Sequence, residues 1–178
     1  GLYPYQYGLQ NYGDQYRDVF KEIAKPENYP IICHCRAGAD RAGTVSALLE
    51  AILGCSERQM GEDYQWTSLS VYGIRDTASP LWQGLISEIK SYDPKNRTVL
   101  AGAWNYFLDK GLTFDELMAI RKLFLNDGRP PFPDTPIVIN RPPLIVRYTT
   151  KTPFFMLFTT TAITIKKETK RIEMFDLC

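Results

Sequence analysis

Between Tyr29 and Gly54 the chain reads as a strand, a six-residue turn and a helix, with almost no slack among them. Tyr29-Pro30-Ile31-Ile32 supplies an apolar run short enough for a buried strand, expected over Pro30 to His34. Arg41 to Leu53 carries Val45, Leu48, Leu49 and Ile52 at helical spacing and stops at Gly54. A strand joined so closely to a helix places the turn at the carboxyl end of a sheet. The stretch "CHCRAGADRAG" that spans that turn holds the chain's only histidine, two of its four cysteines and two arginines.

The remaining elements are mostly helical. Residues 1–12, rich in Tyr, Gly, Gln and Pro, read as a loop. Tyr16, Val19, Phe20 and Ile23 form one apolar stripe of a helix over 14–24, closed by Lys25-Pro26. Ser56 with Gln59, and Thr113 with Glu116, have the spacing of capping boxes, opening helices to about Leu69 and Leu125. Ser79-Pro80 opens another to about Tyr92, and 97–109 is expected to be helical. Composition then shifts at "NDGRPPFPDTP" to β-branched runs at 137–139, 144–149, 154–158 and 161–165. The division expected is 1–127 as one α/β domain, 128–136 as a Pro/Gly-rich linker, and 137–178 as a β-rich tail or the start of a second module. One strand cannot make a sheet. Either strands lie upstream of Gly1 or the tail supplies partners.

A net charge of +1 gives no long-range field for nucleic acid or an anionic membrane, and no run approaches the length of a membrane span. Cysteines at 33, 35, 55 and 178 do not resemble a disulfide scaffold and favour a reducing, cytoplasmic setting. The chain opens on Gly1 and reads as mid-domain, so the lack of a leader in this stretch carries no weight.

Taken residue by residue, Cys35-Arg36-Ala37-Gly38-Ala39-Asp40-Arg41 suits an anion. Small residues and Gly38 let the backbone curl until its N–H groups converge, and the helix starting near Arg41 adds its dipole and unpaired amides. Cys35 lies at the base of that bowl, where such donors favour the thiolate. Arg41 returns one turn of loop later, and its fork binds two phosphate oxygens at once. A thiolate beneath a phosphoryl group is a site for in-line transfer to sulfur. Zinc binding by Cys33, His34 and Cys35 fails because adjacent strand residues point apart. A papain-like Cys–His pair fails because the one histidine adjoins the cysteine.

His-Cys, five residues, then Arg resembles the protein tyrosine phosphatase signature. "YRDVFKEIAKPENYPIICHCRAGADRAG", "LLEAILGCSERQMGEDYQWTSLSVYGIR" and "WNYFLDKGLTFDELMAIRKLFL" are similar to the bacterial tyrosine phosphatases that include lipid-active members, over roughly residues 12–125. The resemblance implies a helix-rich α/β phosphatase domain around a central sheet, with N-terminal strands missing from this stretch. It implies Cys35 as nucleophile, Arg41 as phosphate clamp and Asp40 as general acid, with no metal or cofactor. Residues 36–41 would cradle the phosphate: Arg36, Ala37, Gly38, Ala39, Asp40 and Arg41. His34 would order the loop, and Cys33 would pack as a small hydrophobe. The implied substrate is a phosphorylated protein, a phosphoinositide or an inositol phosphate.

Two departures bear on turnover. The family usually carries Thr or Ser after the arginine, whose hydroxyl donates to the thiolate; this chain has Ala42. A hydrogen bond to a charged group is worth about 1.5–3 kcal/mol, so slow turnover or a substitute donor such as Thr44 is expected. Ala39 replaces the usual lysine, while Arg36 returns a basic group to the rim, suited to a second phosphate. Arg75 is expected in a structural ion pair, and Tyr64, Trp66 and Tyr72 mostly in the core. The competing reading is a phosphate-binding pseudophosphatase that holds its ligand without turning it over.

Overall fold

The computed structural model describes residues 5–70 and 72–125, together with the backbone of 156–158 and 170–173. Seven helices dominate the described residues: α1 (Tyr5–Asn11), α2 (Gly13–Ile23), α3 (Arg41–Leu53), α4 (Glu57–Trp66), α5 (Pro80–Ser91), α6 (Val99–Asp109) and α7 (Phe114–Phe124). Strand β1 (Ile31–His34) lies between β2 (Met156–Phe158) and β3 (Lys170–Glu173), parallel to both, with Ile31 opposite Met156 and Lys170. The linker expected at 128–136 and the runs at 137–139, 144–149 and 161–165 lie outside the described residues.

Helix α3 is the axis of the domain. Every residue from Thr44 to Leu53 is buried, because the sequence there is apolar on all sides rather than striped. It packs against α6, α4, α1, α7 and β1. Ile31 and Cys33 turn one fully buried face of β1 towards it, while Ile32 and His34 are half-buried on the other. Aromatic rings fill the far side of the core: Phe20 meets Phe107 at 4.2 Å between centroids, and Tyr64 stacks on Trp82 at 4.5 Å. Their polar handles are satisfied. Trp104 Nε1 donates to Ile52 O at 3.4 Å and Tyr106 Oη to Leu9 O at 3.2 Å.

Most helix limits agree with the sequence expectation because their caps are local. Both capping boxes form, Ser56 with Gln59 and Thr113 with Glu116, and Ser79 and Thr98 cap α5 and α6. Two expectations need correction. The supposed loop at residues 1–12 contains α1, whose Tyr5 and Leu9, one turn apart, are buried in its packing against α5. Tertiary burial there overrides a Gly- and Gln-rich composition. The helix expected from Ser56 to Leu69 ends at Trp66 and tightens into a 3₁₀ turn over Thr67–Leu69. Among the described residues, no helix is long and apolar enough to cross a membrane.

Thr113→Ala removes both hydrogen bonds of the Thr113 hydroxyl, which accepts from the Glu116 amide and donates to the Glu116 carboxylate, and leaves the Thr113 amide bound to that carboxylate. Urea denaturation should show a loss of about 1 kcal/mol. An unchanged midpoint would mean that α7 is held by packing alone.

Candidate active site

Six residues, 35–40, carry the chain from the end of β1 to the start of α3. Ala37 and Ala39 are buried, whereas Arg36 before them and Asp40 after them are exposed. Gly38 turns the loop with φ of +74°, a left-handed conformation that disfavours side chains. Its carbonyl then settles over the first turn of α3, so closely that a Cβ on Gly43 would lie 3.0 Å from it. The loop therefore requires glycine at both positions.

The loop is sewn to α3 through the Asp40 backbone. Asp40 O accepts from Thr44 N at 2.7 Å and from Thr44 Oγ1 at 2.8 Å. The proton of Thr44 is thus spent on the loop's own backbone, so Thr44 braces the loop in this geometry rather than serving as the expected substitute donor to sulfur. The Asp40 carboxylate makes no capping bond to α3, and the first turn carries no acidic side chain. Helices α4 to α7 all have a side-chain cap from their N-cap residue; α3 has none.

Cys35 follows β1 half-buried against the core, and Arg41, also half-buried, opens α3. Tyr16 of α2 is buried to 1% exposure. Burial pushes its hydroxyl up to about 12, with a bond to Thr44 opposing and Cys35 and Arg41 close enough to act on it in opposite senses. Sulfur and guanidinium therefore both act electrostatically on one buried phenol. Tyr5 of α1 stands on the loop's other flank, its hydroxyl 3.3 Å from that of Tyr64. Burial first, then Tyr64 and the Asp40 carboxylate, push its pKa far above the ordinary tyrosine range, so it stays a neutral neighbour of Asp40. Neither tyrosine has a signal in the sequence beyond a helical stripe.

The other predicted residues are placed as follows. His34 ends β1, half-buried. Cys33 is fully buried, and desolvation pushes its thiol up to about 12. Arg36 Nε donates to Tyr72 Oη at 3.2 Å, and its guanidinium lies 5.4 Å from the centre of that ring. Arg75 makes no ion pair among the described residues, contrary to expectation; Nη1 donates to Tyr72 O at 3.2 Å and its amide to Ser68 Oγ at 2.7 Å. Tyr64 is in the core as expected, but Trp66 and Tyr72 are 57% and 43% exposed. The stretch from Trp66 to Ile74 is a partly apolar rim beside Arg36.

Behind the loop lies a cavity of about 270 Å³ whose wall includes Gly38, Ala42 and Gly43. Its polar lining includes Ser46, Glu50, Asp63 and Thr67. Ser46 Oγ stands 3.1 Å from Asp63 Oδ2 and 3.3 Å from Glu50 Oε1, but its one proton can satisfy only one of them at a time. Burial, then the neighbouring Asp63 charge, holds the Glu50 carboxyl well above its ordinary value. Such a group stabilises the fold fully below the unfolded value near 4.5 and loses that contribution as pH rises through the folded one. Melting temperature should therefore fall from pH 5 towards alkaline pH, and Glu50→Gln should flatten that fall. Parallel slopes for the two proteins would show that Glu50 does not titrate in this range.

Comparison with known proteins comes down to one match. A family model described as tyrosine phosphatase family matches residues 3–126, from just before α1 to just past α7. The likeness thus extends upstream of the stretch that the motifs suggested. No curated protein and no solved structure matches the chain.

Proposed function

Because the chain belongs to the tyrosine phosphatase family, we propose that it hydrolyses phosphate monoesters, phosphotyrosine in protein foremost, through a phosphocysteine on Cys35. The family supports phosphatase activity in general. The observation that carries the finer reading is the loop's turn at Gly38 onto the uncapped first turn of α3, between Cys35 and Arg41.

In this reading the Cys35 thiolate attacks phosphorus from below while the ester oxygen departs opposite it. Amides of 36–41 and the Arg41 guanidinium hold the three equatorial oxygens, whose charge changes most in the transition state. Asp40 gives its proton to the leaving oxygen. Water then attacks the phosphocysteine, Asp40 takes a proton from it, and the thiolate is released with phosphate. Two features support Asp40 in this role: its carboxylate is exposed, and it is not consumed by capping α3. His34 and Thr44 hold the loop, Thr44 through the Asp40 carbonyl. The ring of Tyr72 beside Arg36 favours an aromatic ester, while Arg36 itself would suit the second phosphate of a phosphoinositide, the competing substrate class.

Cys35→Ser should abolish phosphate release from p-nitrophenyl phosphate, and undiminished turnover would reject the covalent route. Asp40→Ala should slow alkyl phosphates by roughly 10²–10⁴ but activated aryl phosphates far less. A uniform loss across leaving groups would remove Asp40 as the acid. Ala42→Thr restores a hydroxyl next to the loop and should hasten decay of the phosphoenzyme, on the order of ten- to a hundredfold in single-turnover experiments. Identical decay in both proteins would mean that Ala42 does not limit turnover. A protein that binds vanadate yet gives neither burst nor turnover would be the pseudophosphatase instead.

A further inference from the structure

The cavity behind the loop is not used by the chemistry above, and its lining is unusual for a protein interior. Glu50 is 7% exposed, yet among the described residues no cation is paired with it or with Asp63. Buried carboxyls are ordinarily matched by a positive charge or kept neutral by sharing protons. Around this pair the structure provides an empty volume of about 270 Å³, walled by the Tyr64, Trp66 and Trp82 side chains and by Met60. Aromatic faces carry negative charge density and attract cations, most strongly where water is excluded. Trp66 and Leu69, 57% and 81% exposed, set one side of the cavity at the surface.

We propose that this cavity binds a compact organic cation, an alkylammonium or alkylguanidinium, with its head at Glu50 and Asp63 and its stem against the aromatic wall. The size fits: such a ligand has the bulk of a lysine or arginine side chain, well within this volume. Binding exchanges one proton for one cation. The proton held by Glu50 leaves to solvent, and the incoming charge takes its place beside the two carboxyls. Ser46 remains as a donor to one carboxylate. The other titratable or charged groups close by are Cys55 and Arg121. Burial, then both carboxyls, push the Cys55 thiol up to about 12, with Arg121 opposing. Arg121 of α7 donates to Ile52 O at 2.6 Å. The inference concerns binding alone and stands whether or not the loop turns over phosphate.

Isothermal titration of the whole chain with n-butylammonium and n-butylguanidinium tests it, with n-butanol as the neutral counterpart. Affinity for the cations should rise at least about tenfold from pH 5.5 to 8.5, and heats in buffers of different ionisation enthalpy should show about one proton released. Glu50→Gln should weaken cation binding about tenfold or more and remove both the proton release and the pH dependence. Butanol binding as well as butylammonium, or no proton release from the unsubstituted protein, would overturn the proposal even if the variant failed to fold. A lysine-bearing tripeptide amide, titrated alongside, separates the sources. Tighter binding than butylammonium would point to a protein side chain, and weaker binding to a free amine, either one supporting the cation site.

Discussion

Helix α3 is gripped along nearly its whole length, from Thr44 to Leu53, by neighbours on every side. A helix held that firmly cannot shift to find partners for its first amides, and no side chain caps them. The backbone donors at its start are therefore fixed in space, beside a loop whose own carbonyl rests on the same turn. Rigidity here comes from apolar packing, and directionality from unspent hydrogen-bonding groups. An anion site needs both, because donors that had to reorganise on binding would give up much of what they gain. Most of the domain can be understood as the scaffolding for that one helix end.

The loop itself shows how much a short sequence can specify. Gly38 and Gly43 are five positions apart, and each is explained by the other: one turns the backbone, the other leaves room for it. Strand, loop and α3 were legible because every determinant sits within one contiguous stretch. The same holds for α4 to α7, whose caps are decided by residues three apart. Helix α1 was illegible for the opposite reason. Its seven residues gain their order from α5, some seventy positions away, as the Gln10 to Glu88 bond illustrates.

The candidate site divides along the same line. Cys35, Arg36, Asp40 and Arg41 announce themselves by type and spacing. Tyr16 and Tyr5 do not, since a tyrosine on a helical stripe looks the same whether it fills a core or underlies a loop. Glu50 and Ser46 are one turn apart on α3 and Asp63 is on α4, so their meeting depends on how two helices pack. A charged residue inside an apolar helix is visible in a sequence; the partner it was placed for is not. Arg75 shows the converse: a basic residue invites an acidic mate, yet its guanidinium holds a backbone carbonyl instead.

Tyr5 links the edge of the domain to its centre. Through one hydroxyl, α1 meets Tyr64 in the core and feels the charge of Asp40 on the loop. A helix of seven residues has little stability of its own and stays wound by leaning on α5. Whatever peels α1 from that support withdraws the phenol from beside the loop's carboxylate, wetting it without altering a single residue of the loop. The outermost element of this domain thus has a hand on its most chemically exposed one.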